Sequence, residues 1–109
     1  MLTCSLTELL QSSSSSSSIW HRVADAPAYR STCAVVNGKL LAVGGFDASM
    51  KPTSAIHKYD PTTNSWDLIS NMPTARYDCL VAVLPNNEMM VVGGCNGHKR
   101  LNKIEIANF

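Results

Sequence analysis

The sequence predicts an all-β chain built from four-stranded antiparallel sheets that repeat along it. Three observations lead there. Two apolar runs, residues 40–43 and 89–92, each end in a glycine pair, Gly44-Gly45 and Gly93-Gly94. Each run follows a turn signal, Asn37-Gly38 or Pro85-Asn86-Asn87, as a short buried strand does. Unlike residue types also recur at one step: 46 residues separate Trp20 from Trp66, Pro27 from Pro73, Arg30 from Arg76 and Cys33 from Cys79. A period of this size marks a repeat architecture. The step grows to 49 at the glycine pairs, which places about three extra residues in the 85–87 loop of the second copy.

In order, residues 1–11 carry Leu2, Leu6, Leu9 and Leu10, which would share one face of a short helix or form a docking peptide. Residues 12–18 are all serine. Such a tract has no apolar surface to offset its ordering entropy and reads as a linker, with a phosphorylated switch as the rarer alternative. The first 18 residues are therefore expected to be disordered, and residues 19–109 to hold two repeats, about 24–70 and 71–109. A strand is expected at 20–23. The first unit follows: strands at 31–36 and 39–43 around the Asn37-Gly38 hairpin signal, a polar loop at 46–53, a strand at 55–59, a turn at Asp60-Pro61, and a strand at 66–69. The second unit repeats this with strands at 78–84, 89–92 and 101–107. The strands before each glycine pair are apolar on both faces, so both faces should be covered. Sheets stacked side by side around an axis provide that cover.

Composition excludes several classes. Nine Lys and Arg against eight Asp and Glu leave a net charge of +1, too little for a dedicated nucleic-acid surface. No apolar run approaches the roughly 20 residues of a membrane helix. Residues 1–11 lack the basic start and cleavage site of a secretory signal. Cys4, Cys33, Cys79 and Cys95 form no CxxC pair, so small buried thiols and a reducing, cytoplasmic setting are expected, without a metal or cofactor. His21, His57 and His98 fall at different repeat positions. No nucleophile elbow, phosphate loop or HExxH is present. An enzyme is not expected.

Arg30, the strand ending at Gly44-Gly45, Tyr59-Asp60-Pro61 and Trp66, echoed by Arg76 and Gly93-Gly94, resemble the kelch-repeat family. The resemblance spans residues 19–109. It implies kelch-type β-propeller blades, about two of the four to eight that close a propeller. The chain would then be a piece of a longer propeller, or would assemble head to tail, residues 20–23 of one copy completing the second unit of the next. The resemblance implies a protein-binding module, as part of a ubiquitin-ligase substrate adaptor or a scaffold. A structural segment without a ligand is the alternative, a kelch-type oxidase or sugar-processing enzyme a remoter one. The implied binding end is lined by Tyr29, Arg30, Arg76 and Tyr77 before the first strands, and by Phe46, Asp47, Cys95 and Asn96 after the glycine pairs. Arginine and aromatic side chains together suit an acidic peptide or a protein partner. The two arginines have a second reading, as forks that tie the units together through loop carbonyls or carboxylates.

Overall fold

The computed structural model describes residues 18–109. The expectations for the leucine-bearing segment and most of the serine tract lie outside them. Four strands, β1 (Thr32–Val36), β2 (Lys39–Val43), β3 (Ala55–Asp60) and β4 (Ser65–Asn71), form one antiparallel sheet in chain order. Three more, β5 (Leu80–Leu84), β6 (Glu88–Val92) and β7 (Ile104–Asn108), form a second in the same order.

Local chemistry sets the turns. Asn37 and Gly38 both adopt positive φ, 51° and 72°, as the two-residue turn between β1 and β2 requires. Asn64 also sits at φ 51°, and the Asp60 carboxylate accepts the Thr62 N–H at 2.9 Å. Tyr59 buries its ring, and its hydroxyl donates to Asn64 Oδ1 at 2.7 Å. The Trp66 ring tilts against Tyr59 at 5.2 Å, and its indole N–H donates to the Ala24 carbonyl at 2.9 Å.

Residues 20–23 form no strand, and Trp20 is 65% exposed. Beyond the Trp66 bond, the chain here is held to the first sheet by the Ala24 N–H on Asn64 Oδ1. Two isolated hydrogen bonds do not make a ladder, and a strand needs one.

The two sheets pack face to face. Val36, Leu41, Val43 and Ile56 of the first meet Cys79, Met89 and Val91 of the second, with Met72 between the sheets. Leu41 pairs with Ala34, and Val43 with Thr32 and Ile56, so one face of the sheet collects the apolar set. Each fully buried aliphatic side chain contributes roughly 1.5–3 kcal/mol. Cross-sheet bonds hold both ends of this core. Thr32 Oγ1 donates to the Cys79 carbonyl at 2.8 Å, Asn37 Nδ2 to the Phe109 carbonyl at 3.1 Å, and the Gly45 N–H to the Arg76 carbonyl at 2.9 Å.

The other face of the second sheet carries Leu80, Val92 and Ile104 in one row and Ala82, Met90 and Ile106 in the next. Leu80 is 71% exposed, and Ile104 and Ile106 are exposed too. Cover on both faces therefore does not hold for this sheet among the described residues.

The structural register of the repeat differs from the residue matches in sequence. Tyr29 bridges Phe46 just as Tyr77 bridges Cys95. Arg30 and Asp78, the next residues, share a left-handed backbone at φ 56° and 55°. Arg30 thus corresponds to Asp78, not to Arg76, and Ser31 to Cys79. The two-residue hairpin loop of the first unit becomes the three-residue Pro85–Asn87 turn of the second. One extra residue lies there, not three, and two enter before Tyr77. Cys33 and Cys79 occupy different positions. Cys79 is a buried free thiol, its pKa pushed up by burial. Cys33 is disulfide-bonded, which corrects the expectation of a buried thiol there and removes one premise of a reducing compartment. No helix among the described residues is long and apolar enough to cross a membrane.

Candidate protein-interaction site

At the end of the sheets away from the hairpin turns, four stretches converge. They are the two segments entering β1 and β5 and the two loops leaving β2 and β6. Phe46 bridges Tyr29 and Pro52, and Cys95 bridges Tyr77 and Arg100, so each loop is pinned as an extension of its sheet. The glycines make room for this. Gly45 sits at φ 107°, and a Cβ there would overlap the Tyr29 carbonyl oxygen; one on Gly44 would overlap that of Arg76.

Three of the predicted residues and one unpredicted one form the junction. The Phe46 ring stacks on Tyr77 of the other unit with centroids 4.2 Å apart. The Arg30 guanidinium lies 5.6 Å from the Phe46 ring centroid and 5.4 Å from that of Tyr77. Its Nη2 donates to Asp78 Oδ2 at 2.5 Å. Arg30, Phe46, Tyr77 and Asp78 thus clasp one sheet to the other by ring stacking, cation–π attraction and an ion pair. Tyr29 stands exposed beside them. Asp78 escaped sequence reasoning because its meaning appears only once Arg30 is aligned with it.

Asp47 and Asn96 turn inward to their own loops. Asp47 Oδ1 accepts the Ser49 and Lys51 N–H groups at 2.8 and 3.1 Å, and Asn96 Oδ1 those of His98 and Lys99 at 3.0 Å each. Both hold a loop in shape, a usual role for these side chains. Cys95 is half-buried and joined to Tyr77 through its backbone.

Arg76 is corrected as a partner-facing group. It has no accessible surface. Its Nη1 donates to the Gly93 carbonyl at 2.9 Å and the Lys103 carbonyl at 3.1 Å, while its Nη2 binds Glu105 Oε1. It knits the second unit together from inside, and its own carbonyl receives Gly45 of the first. The fork reading applies to both arginines, one between units and one within.

Between the two long loops runs an open groove of about 630 Å³. Lys51, His98 and Lys103 line it with Thr74, Asn96 and the apolar surfaces of Pro52, Pro73 and Ala75. Among the described residues no acidic side chain lines it. Its two lysines did not stand out in the sequence, because loop lysines are ordinary, and His98 was weighed there only against a metal site; only the fold gathers the three. His57 lies on β3, where burial holds its imidazole below the ordinary pKa, away from His98 in the second loop. Among the described residues no three His, Cys, Asp or Glu side chains form a metal-binding group.

The profile of the kelch motif matches this chain twice, over residues 27–73 and 76–106. The chain belongs to the kelch family. Over 77 residues it is 34% identical to an F-box/kelch-repeat protein of Arabidopsis thaliana, covering 69% of this chain and 20% of that protein. It is 31% identical to kelch-like protein 35 of Homo sapiens over 71% of this chain and 13% of that one. It is also 40% identical to the influenza virus NS1A-binding protein homolog of Mus musculus over 60% of this chain and 10% of that one. This chain therefore spans a fifth or less of the length of these relatives. The solved structure of YjhT superposes with a TM-score of 0.64 at 26% identity, covering 76% of this chain and 26% of that one. The two sheets are thus kelch blades side by side, an incomplete propeller, the second blade with three strands among the described residues.

Proposed function

We propose that this kelch segment is a protein-interaction module that presents its loop end to a peptide or protein partner. The observation that carries the reading is the clasp of Arg30, Phe46, Tyr77 and Asp78. It joins the blades at the end where the two longest loops stand, and so supports a preformed surface there. Rigid mounting lowers the entropy lost when a partner docks. The Arg30, Asp78, Asp47 and Asn96 side chains bond one another or loop backbone, which suits a docking platform better than a reaction centre. The kinship with an F-box/kelch-repeat protein and a kelch-like protein supports work inside a larger protein, as a substrate adaptor of a ubiquitin ligase or as a scaffold. The cytoplasm is the compartment this role favours.

Site-specific photo-crosslinking tests the reading. A benzophenone side chain replaces Tyr29 at the loop end or Asn37 at the hairpin end. Adducts in cell extract are expected from position 29 and not from 37. Equal adducts from both, or none, would reduce the chain to a structural segment without a ligand of its own.

A further inference from the structure

We propose that the groove between the two long loops is the docking site of an acidic peptide segment, recognised by Lys51, Lys103 and His98. The proposal rests on the interaction-module reading and names the partner's chemistry. Two arginine charges of this end are already matched, Arg30 by Asp78 and Arg76 by Glu105. Lys51 and Lys103 have no ion-pair partner among the described residues, and the His98 ring has none either. The groove therefore gathers two lysine charges that no carboxylate among the described residues pairs with.

Backbone anchoring supports recognition. The Lys51 N–H donates to Asp47 Oδ1 at 3.1 Å, and its carbonyl accepts the Asp47 N–H at 2.9 Å. The Lys103 carbonyl accepts Gly93 N–H at 2.9 Å and Arg76 Nη1 at 3.1 Å. The His98 N–H is held by Asn96 Oδ1. Each basic side chain thus leaves a fixed point, which limits the ordering cost of binding. Asn96 spends its oxygen on the loop, and its amide N–H groups are left for a peptide carbonyl. Pro52, Pro73 and Ala75 add apolar surface for the stems of acidic side chains. A groove this open fits an extended chain rather than an enclosed small molecule. Two lysines and one histidine on a chain of net charge +1 fall short of the footprint a nucleic acid needs.

Fluorescence anisotropy of labelled deca-glutamate, titrated with the full chain at about 50 mM salt, tests this, because exposed charges are screened as salt rises. Binding is expected, weaker at about 200 mM salt, while deca-glutamine of equal length does not bind. Lys51→Glu and Lys103→Glu should each weaken deca-glutamate binding about tenfold. The charge-matched Lys39→Glu, at the opposite end of the sheet, should leave it unchanged. Circular dichroism checks that each variant keeps the wild-type thermal transition, as the exposed Lys51 and Lys103 and the half-buried Lys39 should. Equal binding of deca-glutamine, equal loss in Lys39→Glu, or tighter binding of a thymidylate oligonucleotide overturns the proposal. If deca-glutamate fails to bind while position 29 still gives adducts, the acidic-peptide assignment falls and the module reading stands.

Discussion

Arg76 is the side chain whose loss costs the second blade most. Replacing it by alanine removes a donor from the Gly93 carbonyl and one of the two donors to the Lys103 carbonyl, and leaves Glu105 without its counter-charge. Breaking a buried pair from one side typically costs 3–5 kcal/mol. Glu105 keeps some solvent access, so Arg76→Ala is expected to lower the unfolding free energy by about 3 kcal/mol in urea titration. Arg76→Lys should recover only part of that, because an ammonium cannot reach three acceptors in the planar fork a guanidinium offers. Arg30 differs in kind. Its pair with Asp78 is 43% and 32% exposed, and water screens it. A double-mutant cycle of Arg30→Ala and Asp78→Ala should give a coupling of about 0.5–1 kcal/mol. A coupling near that of a buried pair would mean that the Phe46 and Tyr77 rings exclude water from the bond.

At the scale of the element, each glycine pair is a strand end that must let another chain segment pass. Gly45→Ala would drive a Cβ into the Tyr29 carbonyl at a positive φ, whereas a Cβ on Gly38 meets nothing within 4 Å. The left-handed backbone alone costs roughly 1–2 kcal/mol, and Gly38→Ala should cost about that much. Gly45→Ala should cost at least about 3 kcal/mol, with the thermal midpoint as the measure. A similar loss in both would show that strain, not close approach, selects glycine at position 45. The sheet interior also titrates. The folded chain disfavours protonated His57, so its folded pKa lies below the unfolded one. As pH falls through the ordinary imidazole range, the unfolded state takes up a proton that the folded state refuses, and stability falls. Unfolding free energy should therefore drop between about pH 7 and pH 5, and His57→Gln should flatten the drop. Glycine pairs, turn residues and apolar alternation made these elements legible in the sequence, because each is a local requirement of the backbone. The pairing of Arg30 with Asp78 was not legible, since two residues inserted before Tyr77 shift the units against each other and residue identity misled the alignment. Trp20 misled for a related reason: its apolar content suits a strand, but a strand exists only where an edge accepts it.

At the scale of the whole molecule, the two blades share one core, and the second blade turns its other face outward. The rows of Leu80, Val92 and Ile104, and of Ala82, Met90 and Ile106, form a continuous apolar surface on a three-stranded sheet. The inter-sheet core draws on the opposite face, through Met89 and Val91. The inter-sheet core and the exposed apolar rows therefore lie on opposite sides of the same strands, and their effects on stability and on self-association should separate on mutation. An exposed apolar patch of this kind promotes aggregation of a chain studied alone. The triple variant Leu80→Thr, Ile104→Thr, Ile106→Thr keeps β-branched residues in the sheet while removing apolar area. Light scattering of the variant is expected to show a higher monomer fraction at matched concentration, with less binding of a hydrophobic dye. The thermal midpoint should move little, since these exposed side chains bury little area in the folded chain. An unchanged monomer fraction would place the adhesive surface elsewhere, and a large drop in the midpoint would show that this face already packs against part of the chain.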